Sequence, residues 1–90
     1  MNKLTRDKSE VLKALGHPVR LQMVTGLLLH NECNVQKMVA ALNLPQSTVS
    51  QHLAVLKSRG IVELRRDGVR SCYRLADERM VKLVKTLSQW

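Results

Sequence analysis

Phenylalanine is absent from this chain, and one tyrosine and one tryptophan are its only aromatic residues apart from histidine. Any core must therefore be packed from Leu, Val, Ile, Met and Ala, a set that favours helices over a β-sandwich. Two cysteines, Cys33 and Cys72, are too few for a disulfide scaffold, and free thiols in a reducing cytosol are the expectation. The four glycines form no phosphate-cradling loop and read as helix caps or turns. No nucleophile stands beside a base and no pair of carboxylates is spaced for acid–base work, so neither an enzyme nor a cofactor is expected. No apolar run approaches the ~20 residues needed to cross a bilayer, and the N-terminal string MNKLTRDKSE is charged rather than signal-like. A cytoplasmic protein without a membrane partner is expected.

Acidic residues are also scarce. Seven Asp and Glu stand against 15 Lys and Arg, a net charge of +8. Such a balance points to a polyanionic partner, although Coulomb attraction alone does not separate nucleic acid from an anionic membrane or an acidic protein. At 90 residues the chain supports a single domain, 1–90, with one small core. A chain this small gains stability by burying a shared seam with a second copy, so a homodimer is expected.

Stop signals divide the chain into short elements. Ser9 to Leu15 places Val11, Leu12 and Leu15 at helical spacing, with Leu4 earlier, and Gly16 is expected to close this first helix in a left-handed cap. Pro18 opens a second helix with the stripe Leu21, Val24, Leu27 and Leu28, ending at His30-Asn31-Glu32. Asn34 caps a short third helix with the stripe Val35, Met38, Val39 and Leu42, closed by Asn43. Pro45 begins a fourth helix with Val49, Leu53 and Leu56 inward and Gly60 at its end. Ile61 to Arg65 and Val69 to Tyr73 read as strands joined by a two-residue Asp67-Gly68 turn. Asp77 caps a last helix running to Trp90, with the stripe Met80, Leu83, Val84 and Leu87.

The third and fourth helices lie close enough in sequence to form a helix-turn-helix. The outward positions of the fourth, Gln46, Ser47, Thr48, Ser50, Gln51 and His52, carry short polar groups suited to base edges and phosphates instead of the Glu and Lys of a solvated helix. From Lys57 to Arg74, six basic residues face two acidic ones, which makes the hairpin cationic. The hairpin cannot cover the last helix's stripe. Val11, Leu12, Met80, Leu83, Val84 and Leu87 are therefore expected at a seam between the first and last helices of two copies. His17, before a helix-starting proline, reads as a cap; His30 has no partner at metal-ligand spacing, and the methionines read as core filling.

The element order, with the strings LGHPVRLQMV, LPQSTVSQHLAVLKSRGIVELRRDG and CYRL, resembles the ArsR/SmtB family of bacterial repressors over almost the whole chain. The resemblance implies a mainly α winged helix-turn-helix of five helices and one β-hairpin, dimeric through the first and last helices. It also implies a recognition helix over Gln46 to Leu56 in the major groove. By that likeness Gln46, Ser47, Ser50 and Gln51 would contact the groove, flanked by Thr48 and His52, with Arg65, Arg66 and Arg70 of the wing on phosphates. The partner would be double-stranded DNA carrying an imperfect inverted repeat.

Many members of that family sense metals through a Cys-Val-Cys segment. Here the segment reads Asn34-Val35-Gln36, and Asp77 to Trp90 holds no histidine, so no metal site is expected. Cys33 and Cys72 would be brought near each other if the segment before the third helix pairs with the second wing strand. By similarity to thiol-switch relatives they would then form a redox- or sulfide-responsive bridge; two unconnected structural thiols are the alternative. A protein-interaction module is the remaining reading, one the polar fourth helix and basic wing argue against.

Overall fold

The computed structural model describes residues 2–90. Its elements are α1 (Lys3–Leu15), α2 (Pro18–His30), α3 (Val35–Leu42), α4 (Gln46–Ser58), β1 (Val62–Asp67), β2 (Arg70–Leu75) and α5 (Glu78–Ser88). This is a winged helix-turn-helix, with one antiparallel hairpin beside five helices.

Local chemistry sets most boundaries. The Asn2, Asn34 and Asp77 side chains accept the backbone N–H of Thr5, Lys37 and Met80, at 2.8, 2.9 and 3.0 Å, so each caps a helix whose first N–H groups lack intrahelical partners. Capping by Asn2 starts α1 at Lys3, well before Ser9, although the added turns carry almost no apolar stripe. Asn43, at φ 54° and ψ 46°, closes α3 in the left-handed region, and its N–H donates to the Val39 carbonyl at 2.9 Å. Gly16 departs from expectation: its φ is −77°, so it is no left-handed cap. A Cβ there would lie 3.3 Å from the Leu12 carbonyl oxygen, a tight contact that a side chain could make only if this backbone gave by a few tenths of an ångström. At the other end of the chain α5 stops at Ser88, and Trp90 stands free in solvent at 93 % exposure.

The hairpin forms one residue later than expected. Asp67 pairs with Arg70, so Gly68 and Val69 make the turn. Only Gly68 of these two has a positive φ, 63°, the pattern of a type II′ turn with glycine first; a type I′ turn would need positive φ at both.

The core gathers Ala14 and Leu15 of α1, Met23, Val24 and Leu27 of α2, Met38 of α3, Val49, Leu53 and Leu56 of α4, Ile61 and Val62 at the start of the wing, Leu75 at its end, and Val84 of α5. Leu21 does not join it; it is 37 % exposed, and Met23 takes the inward place. Val84 is fully buried within its own chain, so it has no surface left for a partner and leaves the expected dimer seam. Among the described residues no polar or charged side chain is buried, and no helix is long and apolar enough to cross a membrane.

Leu53, 1 % exposed, anchors α4 at the centre of this core. Leu53→Ala is expected to cost about 2–5 kcal/mol and Asn34→Ala about 1 kcal/mol, whereas Leu29→Ala, at a side chain 71 % exposed, should lie near zero. Urea midpoints at constant slope would check the ranking, and an Asn34 variant as stable as the parent would dismiss the cap.

Candidate nucleic-acid interface

Burial fixes which face of α4 is free. With Val49, Leu53 and Leu56 turned inward, Gln46, Ser47, Ser50 and Gln51 are exposed and share the outer face, while Thr48 and His52 lie half-buried on its flank. Pro45 is the N-cap and gives no side-chain cap, so the first N–H groups of α4 have no side chain folded over them. No Asp or Glu occurs between Glu32 and Glu63, a span covering α3, α4 and the approach to the wing. An exposed helix face with amide and hydroxyl groups and no carboxylate suits a polyanion that also presents donors and acceptors, as a DNA groove does.

The wing supplies charge, with a division that sequence alone does not show. Side chains alternate across a strand, and directly paired residues share a face. The register pairs Arg65 with Cys72, Glu63 with Arg74 and Asp67 with Arg70, so Arg65 and Arg70 project from one face; Arg66, paired with Ser71, projects from the other. All three arginines are exposed. Arg74 is instead held by Glu63 in a cross-strand ion pair, so it belongs to the hairpin's own cohesion.

His52, expected beside the groove contacts, has a neighbour of its own. Its ring lies 4.7 Å from that of His17, tilted by 53°. Burial, His17 and Arg20, in that order, hold its pKa below the ordinary imidazole value of 6.5. His17 is the N-cap of α2, its Nδ1 accepting the Val19 N–H at 3.2 Å, which leaves Nε2 as the nitrogen that carries the proton in the neutral ring. One turn on, the Nε of Arg20 is buried with no hydrogen-bond partner among the described residues. Neither His17 nor Arg20 stood out in the sequence as part of the interface, because their nearness to α4 depends on how α2 packs.

The segment before α3 pairs with the second wing strand as anticipated, through Cys33 N–H to Tyr73 O at 2.9 Å and Tyr73 N–H to Cys33 O at 2.8 Å. The partner of Cys33 is Tyr73, however, not Cys72. Strand alternation then puts Cys33 on the Tyr73 face and Cys72 on the Arg65 face, so the two thiols are close in the sheet but turned apart. Both are free and half-buried. Burial pushes the Cys33 thiol above its usual value, opposed by the Lys37 ammonium and reinforced by Cys72. Among the described residues no three His, Cys, Asp or Glu gather as a metal site, and Asn34 spends its side chain on the α3 cap.

Comparison with known proteins agrees with this geometry. Residues 17–63, from the α2 cap through the first wing strand, match the family described as bacterial regulatory protein, arsR family. The transcriptional repressor PagR of Bacillus anthracis is 35% identical over 82 residues, 91% of this chain and 82% of PagR. Its crystal structure superposes with a TM-score of 0.84 at 35% identity, covering 92% of this chain and 94% of that one. HlyU of Vibrio cholerae N16961 superposes with a TM-score of 0.89 at 32% identity over 99% of this chain and 96% of its own. A homodimeric winged helix-turn-helix DNA-binding domain of Mycobacterium bovis, Mb0332, gives 0.86 at 36% identity, with 96% and 79% covered. Fold, polar helix and sequence thus converge, and the chain belongs to the arsR family of bacterial regulatory proteins.

Proposed function

We propose that this protein is a dimeric transcriptional repressor that reads an imperfect inverted repeat in double-stranded DNA. The observation that carries the proposal is the exposed, carboxylate-free face of α4 beside a cationic wing. Gln46, Ser47, Ser50 and Gln51 read base edges in the major groove, Thr48 lies at the margin of that surface, and Arg65 and Arg70 bind phosphates from a common face, with Arg66 reaching from the other. Repressor relatives such as PagR support the regulatory role.

Dimerisation follows from apolar surface that one copy leaves uncovered. Leu4 and Leu12 of α1 are 68 % and 58 % exposed, and with Val11, Met80 and Leu83 they line a groove of about 780 Å³ between α1 and α5. Leu87 is half-buried on the same α5 stripe. A second copy related by a two-fold axis fills this groove, and the homodimeric relative from Mycobacterium bovis is consistent with that arrangement. Two recognition helices then stand about one DNA turn, ~34 Å, apart.

A thiol-responsive repressor is the second reading, favoured by the bridge that ties Cys33 to the strand carrying Cys72. Because the side chains point to opposite faces, a crosslink requires the Cys33–Tyr73 bridge to open. Oxidation that joins the thiols would therefore displace the base of the wing.

Fluorescence anisotropy on labelled duplexes checks these roles. The Ser50→Glu, Gln51→Glu pair should abolish specific binding, and unaltered binding would favour a protein-interaction module instead. Arg65→Ala with Arg70→Ala should weaken binding to every sequence and reduce the salt slope by about 1.8, near 0.9 for each phosphate no longer neutralised; an unchanged slope removes the wing from the phosphates. Leu12→Glu should sediment as a monomer and lose most affinity, whereas a persisting dimer places the seam elsewhere. After mild oxidation, mass spectrometry should find an intrachain Cys33–Cys72 crosslink together with weakened binding, and no crosslink would leave the two cysteines as structural thiols.

A further inference from the structure

We propose that His17, Arg20 and His52 jointly bind a phosphate of the DNA backbone, giving the scaffold helix α2 a direct part in docking the recognition helix. This rests on the DNA-binding reading above and adds residues to it. Basic side chains of the α2 segment and of α4 meet here. The rings of His17 and His52 lie 4.7 Å apart, Arg20 follows His17 by one turn along α2, and His17 and Arg20 are the neighbours that act on His52. Both come from the α2 segment, both disfavour a proton on His52, and no carboxylate acts there to balance them.

A guanidinium is never deprotonated in a protein, so its N–H groups require acceptors. The Nε of Arg20 is shielded from solvent and has none among the described residues, so the phosphate would meet the terminal nitrogens of this half-buried side chain. His17, with Nδ1 engaged at the α2 cap, is left with Nε2 as its free nitrogen. His52 adjoins Gln51 in sequence and lies on the flank of the exposed α4 face, so the cluster borders the surface that meets the groove. A phosphate combines negative charge with several acceptor oxygens and matches the fork of an arginine with imidazole donors at its side.

The same phosphate would favour the protonated form of His52, whose pKa lies low in the free protein. Protons are then taken up on binding, and affinity rises as the pH falls from about 8 to about 6.

Salt titrations of duplex binding with the wild-type chain, R20Q and R20K test the assignment. R20Q should lower the magnitude of the slope of log affinity against log salt by about 0.9, the share of one phosphate, and R20K should keep it. A folded R20Q with the parent's slope overturns the proposal, since a packing role for Arg20 would change stability and leave the slope alone. If the wild-type chain itself shows no salt-dependent binding, the repressor reading fails first and takes this inference with it. Should R20Q not fold by circular dichroism, H52Q decides. The wild type should bind more tightly at about pH 6 than at about pH 8, and H52Q should lose much of that gain; an equal gain in both overturns the proposal.

Discussion

The candidate interface depends first on how α4 is rolled about its own axis. Val49, Leu53 and Leu56 have essentially no solvent exposure, pressed into a core shared with Val24 and Leu27 of α2 and Ile61 at the foot of the wing. A helix advances about 100° per residue, so fixing three inward side chains also fixes which side chains face out. The exposed polar face proposed to read the groove is thus a consequence of apolar packing, and its side chains contribute little to holding the helix in place. Short polar groups on that face can be exchanged without disturbing the core beneath it.

Charge is distributed in the same layered way. Opposite charges are used where elements must be held to one another: Glu10 pairs with Arg59 between α1 and the end of α4, at 3.2 Å, and Glu63 pairs with Arg74 across the hairpin. Exposed pairs of this kind each add little stability, so their value is in orientation. The wing carries exposed arginines beyond those paired with carboxylates, and their attraction to a polyanion is sequence-independent and weakened by salt. In the binding mode we propose, recognition and attraction belong to different side chains, the first to Gln and Ser on α4 and the second to Arg on the wing and on α2.

Much of this was legible in the sequence, for identifiable reasons. Asn34, Asn43, Gly60 and Asp77 act through local backbone chemistry, so α3, the end of α4 and the start of α5 fell where caps and breakers put them. The inward stripe of α4 was equally plain, because Val49, Leu53 and Leu56 recur at helical spacing and the first two turns are otherwise polar. What escaped were properties set by tertiary packing or by a single dihedral angle. The first turns of α1 rest on Asn2 with hardly any apolar signal behind it. The hairpin slipped by one residue because Asp-Gly is compatible with glycine in either central position of a tight turn. That Val84 belongs to its own chain's core, that Arg66 departs from Arg65 and Arg70, and that Cys33 faces Tyr73 instead of Cys72 all follow from packing and register. The likeness between Met80, Leu83, Val84 and Leu87 as apolar residues on one helix gave no means of telling core from seam.

Selection of duplexes from a random pool by the wild-type chain bears most directly on whether a symmetric pair of α4 helices reads DNA. A two-fold dimer should enrich an imperfect inverted repeat whose half-site centres stand about 10 base pairs, one helical turn, apart. Enrichment of a lone half-site or of a direct repeat would contradict the symmetric dimer, and no enrichment at all would contradict groove reading by α4.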